Sequence, residues 1–135
     1  VKSNEVFFLR DNQLVFPVAA KEKLVKKADG WALDIYVFSP RPLDDLLIEP
    51  NMPKLTLVVK AKECQLAIND KAYVAASQNR HEATYKELPL LQGWNKVSIK
   101  IGERDKNEFS GNFRCDNRNE FLSSLKVMFV NPEVK

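Results

Sequence analysis

The chain offers few residues that could carry catalytic chemistry. Its one histidine, His81, stands in a polar stretch with no neighbouring aspartate, so the sequence does not indicate a nucleophile–base–acid triad. Paired carboxylates for glycoside hydrolysis would have to come from the acidic residues Asp34, Asp44, Asp45 and Glu49. The adjacent pair Asp44-Asp45 lies in a proline-flanked connection, which favours a solvated turn. Four scattered glycines form no phosphate-binding loop. These observations predict a protein that is not an enzyme.

Metal ligands are equally sparse in the sequence. Two cysteines cannot complete a zinc site, and the single histidine is not spaced to help them. Three aspartates stand in predicted turns without the spacing of a calcium-binding loop: Asp11, Asp105 and Asp116. We therefore predict no cofactor. A structural calcium ion stays an open alternative that the spacing does not indicate.

The two cysteines allow two interpretations. Cys64 shares its phase with Leu66 and Ile68. Cys115 shares its phase with Phe113, so both thiols should face the core. The favoured interpretation is a pair of buried thiols that act as small apolar residues. The other is one inter-strand disulfide in a secreted module.

Hydrophobic alternation predicts the elements that would position functional side chains. In the segment 96–101, aliphatic residues point to one face and the polar residues between them point to the other, as in a half-buried strand. The aliphatic residues are Val97, Ile99 and Ile101. About nine such segments follow one another at spacings of roughly 8–12 residues. Because no long helices alternate with them, they predict an all-β fold, either a sandwich or a barrel.

The same pattern makes three local predictions. Trp31 belongs to the buried phase of a strand over 31–39. The segment 19–27 has only a weak helical period and should form a loop or one helical turn. Asn69-Asp70 separates two alternating runs and should form a tight hairpin, because both residue types tolerate positive φ.

Length and charge set outer limits on the organisation and the partners. The 135 residues fit one domain, 1–135, and the abrupt start at Val1 indicates a mature form or a piece of a larger protein. The net charge is +3, with no stripe of basic and aromatic side chains, so we expect no nucleic-acid partner. A modest affinity for acidic polymers such as uronic-acid glycans stays open. No apolar run is long enough to span a bilayer, so we expect no membrane partner.

Three segments together resemble a known family. They are 31–40, a strand that ends in Ser-Pro; 66–71, Leu-Ala-Ile-Asn-Asp-Lys; and 90–101, Leu-Leu-Gln-Gly-Trp-Asn-Lys-Val-Ser-Ile-Lys-Ile. Their order resembles galactose-binding-like jelly-roll modules of bacterial polysaccharide-degrading enzymes, although Asp70 stands where a glycine is more usual. The resemblance implies an antiparallel β-sandwich of eight or nine strands, with two Greek keys in jelly-roll order. It also implies that Trp94 covers the end of the core and that Asn95 hydrogen-bonds the turn.

The resemblance further implies a non-catalytic carbohydrate-binding accessory module, extracellular, at the cell surface or periplasmic. Its partners would be a polysaccharide or oligosaccharide and a neighbouring catalytic domain. Sugar binding needs flat aromatic faces and a few planar polar groups. The candidates outside the core phase are Tyr36, Tyr73, Asn79, Arg80, His81 and Tyr85. A second candidate loop contains Asn117 and Arg118.

A second function stays open beside the first. The chain would then be a structural or protein–protein interaction sandwich without a small ligand. Such a protein should expose an apolar patch, for which the candidate is Leu46–Ile48 in the proline-containing connection.

Overall fold

Twelve strands and three 3-10 helices form the regular structure of residues 7–43 and 52–132, the residues that this computed structural model describes. The strands are β1 (Phe8–Arg10), β2 (Gln13–Val15), β3 (Val25–Lys27), β4 (Gly30–Ser39), β5 (Leu55–Val59), β6 (Cys64–Ile68), β7 (Lys71–Tyr73), β8 (Ser77–Gln78), β9 (Ala83–Leu88), β10 (Gly93–Gly102), β11 (Gly111–Arg114) and β12 (Lys126–Met128). The 3-10 helices are Val18–Lys23, Lys106–Glu108 and Asn119–Ser124. The structure has more strands than the nine or so predicted, since several are only two or three residues long.

The strands pair into two antiparallel sheets. The order in the first sheet is β1-β2-β11-β5-β9-β8. In the second sheet it is β12-β4-β10-β6-β7, and β3 also pairs with β4. The chain crosses between the sheets after β2, β4, β5, β7, β9, β10 and β11, an alternation typical of Greek-key sandwiches. One cluster of apolar side chains fills the space between the inner faces, which confirms the predicted all-β antiparallel sandwich.

The longest pair, β4 and β10, forms the middle of the second sheet. The two strands pair along their whole length, from Gly30 opposite Gly102 to Ser39 opposite Gly93. The aliphatic residues of both strands face the first sheet and are buried, as the alternation predicts: Leu33, Ile35, Val37, Val97, Ile99 and Ile101. Glycine is required at residue 30, because a Cβ there would collide with the carbonyl oxygen of Ile101.

Trp31, which the alternation assigns to the core, is only partly buried. It packs against the core at the start of β4, as the second residue of this strand. Its indole N–H donates a hydrogen bond to the carbonyl oxygen of Glu103 at 3.1 Å. The Lys106 ammonium lies 4.1 Å from the ring centroid, and the Lys26 ammonium lies 5.5 Å from it. Ammonium groups over an aromatic face are attracted by its π electrons, so these two lysines stabilise the exposed part of the ring.

The segment 19–27 holds more structure than the single loop or helical turn predicted. It contains the 3-10 helix Val18–Lys23, whose residues Ala19 and Ala20 are buried, and then the strand β3. All three side chains of β3 are exposed, so its sequence shows no alternation that would reveal a strand. Pairing with the edge of β4 is what makes this segment extended.

Both cysteines carry free thiols, as the favoured interpretation predicts. Cys115 is buried just after β11, and Cys64 is half-buried at the start of β6. Burial raises the pKa of both thiols, that of Cys64 to about 11. Since the thiolate is the reactive form, both groups are poor nucleophiles at neutral pH.

Some predicted features lie outside the described residues, namely the carboxylates of Asp44, Asp45 and Glu49 and the apolar patch Leu46–Ile48. Within the described ranges, no helix combines the length and the apolar character needed to cross a membrane.

Candidate functional site

The outer face of the second sheet carries a group of aromatic side chains. In β4 and β10, the residues between the buried aliphatic ones point away from the core. Trp94 lies opposite Phe38, and Tyr36 follows on the same face of β4, opposite Lys96. All three rings are partly exposed. We call Tyr36, Phe38 and Trp94 the aromatic face.

The rings of the aromatic face are close enough to contact one ligand together. The centroids of Phe38 and Trp94 lie 5.4 Å apart, and their planes are inclined at 67°, an edge-to-face packing that aromatic pairs prefer. Tyr36 is the diagonal cross-strand neighbour of Trp94, a relation that places two residues ~7–8 Å apart. The ammonium of Lys126, from β12, lies 5.8 Å from the Phe38 centroid.

A groove of about 180 Å³, the face groove, opens beside the aromatic face. Tyr36 and Trp94 contribute aromatic surface to it, and Lys96 and Asn69 contribute polar groups. Its remaining lining consists of Asn95, Asn131 and Pro132. The Lys96 ammonium lies 3.1 Å from a carboxylate oxygen of Asp70, and the hydrogen bond to this carboxylate raises the pKa of Lys96. Lys96 therefore stays protonated at physiological pH, with its charge balanced by Asp70.

Asn95 fixes the turn that leads into β10. Its Oδ1 accepts hydrogen bonds from the backbone N–H of Leu91 at 2.8 Å and from the Asn69 side-chain amide at 2.9 Å. Its Nδ2 donates to the carbonyl oxygens of Leu91 at 2.9 Å and Gly93 at 3.1 Å. Asn95 is only 1% exposed. The expectation that Asn95 hydrogen-bonds the turn is confirmed.

The hairpin between β6 and β7 separates the face groove from a second, larger groove. Asn69 and Asp70 at its tip have φ values of 52° and 70°, as a two-residue primed turn requires, so the predicted tight hairpin is confirmed. Asn69 also borders an open groove of about 370 Å³, which we call the lateral groove. Its other lining residues include Leu43, Lys71, Tyr73, Leu90 and Leu91.

Two of the predicted binding residues line these grooves. Tyr36 borders the face groove and Tyr73 borders the lateral groove, and both rings are partly exposed. Each is therefore placed where it could contact a ligand, and its role in binding stays a prediction.

Tyr85 is buried, so the prediction that its ring lies at the surface is wrong. It is 1% exposed, and its hydroxyl donates a hydrogen bond to the carbonyl oxygen of Cys64 at 3.2 Å. Strict alternation counted back from Leu88 would point Tyr85 outward. However, the pairing of β5 with β9 shifts its register between Leu55 and Leu57. This β-bulge lets Tyr85 and Leu88 both face the core, so the Tyr85 ring offers no surface to a ligand.

The polar residues Asn79, Arg80 and His81 lie in the exposed loop between β8 and β9, as predicted. The Asn79 side chain holds the loop itself, because its Oδ1 accepts the backbone N–H groups of His81 at 2.7 Å and Glu82 at 2.9 Å. This geometry is an Asx turn. The Asn79 oxygen is therefore already engaged by its own backbone.

That loop lies far from both grooves. The side-chain amide of Gln78 donates to the carbonyl oxygen of Lys62 at 3.2 Å, and Lys62 precedes β6. Asn69, which borders both grooves, follows β6. The loop and the grooves therefore lie at opposite ends of this strand. The structure does not bring Asn79, Arg80 and His81 together with Tyr36 or Tyr73.

The second candidate loop, which contains Asn117 and Arg118, is held in the fold by its own side-chain contacts. The Asn117 side chain accepts a hydrogen bond from the backbone N–H of Lys54 at 3.0 Å and donates one to the carbonyl oxygen of Met52 at 2.7 Å. Arg118 pairs with Glu120 at 2.6 Å. These contacts tie the loop to the chain that enters β5, and they leave the Asn117 amide engaged.

Sequence reasoning misses Phe38 and Trp94 as surface residues. The resemblance assigns Trp94 to the end of the core, and the structure corrects this, since the ring lies on the outer face of the sheet. The alternation of apolar and polar residues could have indicated that both rings lie on the outer face. Trp94 shares its phase with the polar residues Lys96 and Ser98, and Phe38 is out of phase with the buried Val37. An aromatic residue on the polar side of a strand is the pattern that identifies this surface.

The described residues do not form a metal centre. Among them, no group of three His, Cys, Asp or Glu side chains could hold a metal ion. Asp105 instead binds the backbone, because its carboxylate accepts the N–H groups of Lys62, Glu63 and Gly102 at 3.0 to 3.2 Å. This carboxylate joins the chain before β6 to the end of β10.

A scan of protein-family models, a search of curated proteins and a search of solved structures each found no match to this chain. The chemistry of the site follows from its own geometry. Three partly exposed rings lie beside ammonium groups and an open groove, an arrangement that can bind a flat ligand with polar edges.

Proposed function

We propose that the protein is a non-catalytic module that binds a carbohydrate chain on the outer face of its second sheet. The observation that carries the proposal is the aromatic face. A pyranose ring has one apolar side made of C–H groups, and this side packs well on aromatic surface. Tyr36, Phe38 and Trp94 supply such surface in one place on the sheet.

Polar groups around the rings supply the directional part of the binding. The ammonium groups of Lys96 and Lys126 lie beside the aromatic face, and each can donate several hydrogen bonds to hydroxyl groups. On the same face, the Ser98 hydroxyl donates to the Asp34 carboxylate at 2.8 Å, and this carboxylate keeps free lone pairs for further donors. Flat apolar area with a few placed polar groups is the composition expected of a sugar site.

The accessory role extends the proposal beyond the surface itself. The resemblance to galactose-binding-like modules suggests a parent enzyme or surface protein that acts on polysaccharides outside the cytoplasm. In this role the module would hold a neighbouring catalytic domain close to its polymer. Binding through a sheet surface suits the task, because an open face accepts the interior of a long chain as well as its end.

The test is a glycan-array screen followed by calorimetry on the polysaccharides that bind. Trp94→Ala and Tyr36→Ala should each weaken binding by about tenfold, because an aromatic contact is worth ~0.5–1.5 kcal/mol beyond its buried area. Phe8→Ala is the matched control, since Phe8 is an aromatic residue 42% exposed on the edge strand β1 of the other sheet. Equal loss in Trp94→Ala and Phe8→Ala, or no binding to any glycan, would refute the proposal.

A second candidate function is a protein-interaction sandwich without a small ligand. The strand β1 favours it, because Phe8 and Leu9 are 42% and 51% exposed and β1 is the last strand of its sheet among the described residues. Such an edge can add a strand from a second copy of the chain. Sedimentation equilibrium tests this function. Self-association that Leu9→Lys abolishes would support it, and a monomer at all concentrations would exclude pairing between copies.

A further inference from the structure

The lateral groove has the composition of a ligand site and is larger than the face groove. Its volume of about 370 Å³ lies within the ~300–1,000 Å³ typical of small-molecule pockets, whereas the face groove holds about 180 Å³. Leu43, Leu90 and Leu91 supply apolar walls. The polar lining comes mainly from one strand, β7, through Lys71 and Tyr73.

Asn69 forms a rigid partition between the two grooves. Its Oδ1 accepts the backbone N–H of Lys96 at 2.9 Å, and its Nδ2 donates to Asn95 Oδ1 at 2.9 Å. The backbone N–H of Asn69 also donates to the carbonyl oxygen of Lys96 at 2.8 Å. Because Asn69 borders both grooves, the two grooves are neighbours at the hairpin tip.

The charges of the two grooves differ. In the face groove, Lys96 is already paired with Asp70 at 3.1 Å. In the lateral groove, the Lys71 ammonium lies 5.5 Å from the ring centroid of Tyr73, and among the described residues it makes no ion pair. The lateral groove thus offers an aromatic surface, apolar walls and one cation that has no counter-charge among the residues the structure describes. A sugar unit that carries a carboxylate matches these three features.

We propose that the lateral groove is a second subsite for the same glycan and that it takes a uronic acid unit, whose carboxylate pairs with Lys71. This inference rests on the proposed function, because it assumes that a glycan occupies the aromatic face. It adds the substrate class, an acidic polysaccharide, and it assigns the discrimination between acidic and neutral chains to Lys71. Tyr73 would carry the sugar ring at this subsite.

Paired polysaccharides that differ only in charge test the proposal. The probes are polygalacturonate, alginate and glucuronoxylan, each compared with its methyl-esterified or carboxyl-reduced form at two salt concentrations. The full chain should bind at least one charged form about tenfold more tightly than its neutral partner. Lys71→Met should remove this preference by lowering the affinity for the charged form about tenfold, since the methionine keeps the apolar part of the side chain and removes only the charge.

The control variant is Lys60→Met, which removes the same charge from an exposed lysine that borders neither groove. An equal effect of both variants would mean that net charge, and not the subsite, sets the preference, which overturns the inference. Glycan binding that Trp94→Ala weakens and Lys71→Met leaves unaltered would overturn the subsite alone and keep the proposed function. Absence of binding to charged and neutral glycans alike would refute both the subsite and the proposed function.

Discussion

Truncation of Asn95 should destabilise the fold far more than its single side chain suggests. Asn95→Ala removes four hydrogen bonds of 3.1 Å or less, two accepted by Oδ1 and two donated by Nδ2, and a longer one of 3.3 Å from Nδ2 to the carbonyl oxygen of Val37. The backbone N–H of Leu91 and the amide of Asn69 then lose their acceptor. The carbonyl oxygens of Leu91 and Gly93 lose a donor. The alanine fills little of the vacated space, and the site is closed to bulk water because Asn95 is almost fully buried.

The expected loss follows from these four bonds. Each of the four shorter bonds is worth a net ~0.5–1.5 kcal/mol, so the free energy of unfolding should fall by about 2–6 kcal/mol. This is a large share of the ~5–15 kcal/mol by which a typical domain is stable. Because Asn69 loses one of its partners, the partition between the two grooves should also loosen.

Urea unfolding followed by tryptophan fluorescence measures this loss. Asn79→Ala is the matched control, because Asn79 also accepts two backbone N–H groups but lies in an exposed loop where water can replace it. That variant should lose no more than ~1 kcal/mol. The reasoning fails if both variants lose the same free energy of unfolding, or if that of Asn95→Ala lies within ~1 kcal/mol of the unsubstituted protein, because burial would then not strengthen this network.

Three further predictions test other parts of the fold. Between pH 9 and about pH 11, the free energy of unfolding should fall, because the folded-state pKa of Cys64 is raised from 9.0 to about 11 and the unfolded chain releases its proton first. In urea titrations at a series of pH values, Cys64→Ala should make the free energy of unfolding depend less on pH over this range. Gly30→Ala should lower the free energy of unfolding by several kcal/mol, because a Cβ at residue 30 collides with the backbone. Gly93→Ala should lower it by only ~1 kcal/mol, because residue 93 has open space around it and only its φ of 98° is strained for alanine. Thermal melts of the two variants compare these losses. Asn112→Val should leave the melting temperature unchanged or raise it, because Asn112 Oδ1 is buried without a partner among the described residues and its cross-strand neighbours are valines. A loss of more than ~1 kcal/mol in the free energy of unfolding would contradict this.

Much of the fold could be predicted because alternation reports burial directly. The inner faces of β4 and β10 follow strict period two, so their core residues are readable from the chain. The hairpin at Asn69-Asp70 is also readable, since few residue types accept positive φ. Strands such as β3 could not be predicted, because pairing with a neighbour extends them and their side chains stay in solvent.

The candidate site was less accessible to prediction, for two physical reasons. A β-bulge in the β5–β9 pair reverses the phase of Tyr85, and nothing in the local sequence announces it. The aromatic face joins residues of two strands, β4 and β10, that are distant along the chain. Alternation places each ring on the outer side of its own strand, but it does not say which strand lies next to it.

By itself, the sequence determined the class of fold, the inward residues of the long strands, the tight hairpin and the scarcity of groups suited to catalysis. These properties depend on residue type and short-range spacing, which alternation and turn chemistry express locally. Only the tertiary structure decided that Trp94 lies opposite Phe38, that Tyr85 is buried and that Asn69 borders two grooves. These facts depend on strand order and register, which are set by the packing of both sheets around a common core.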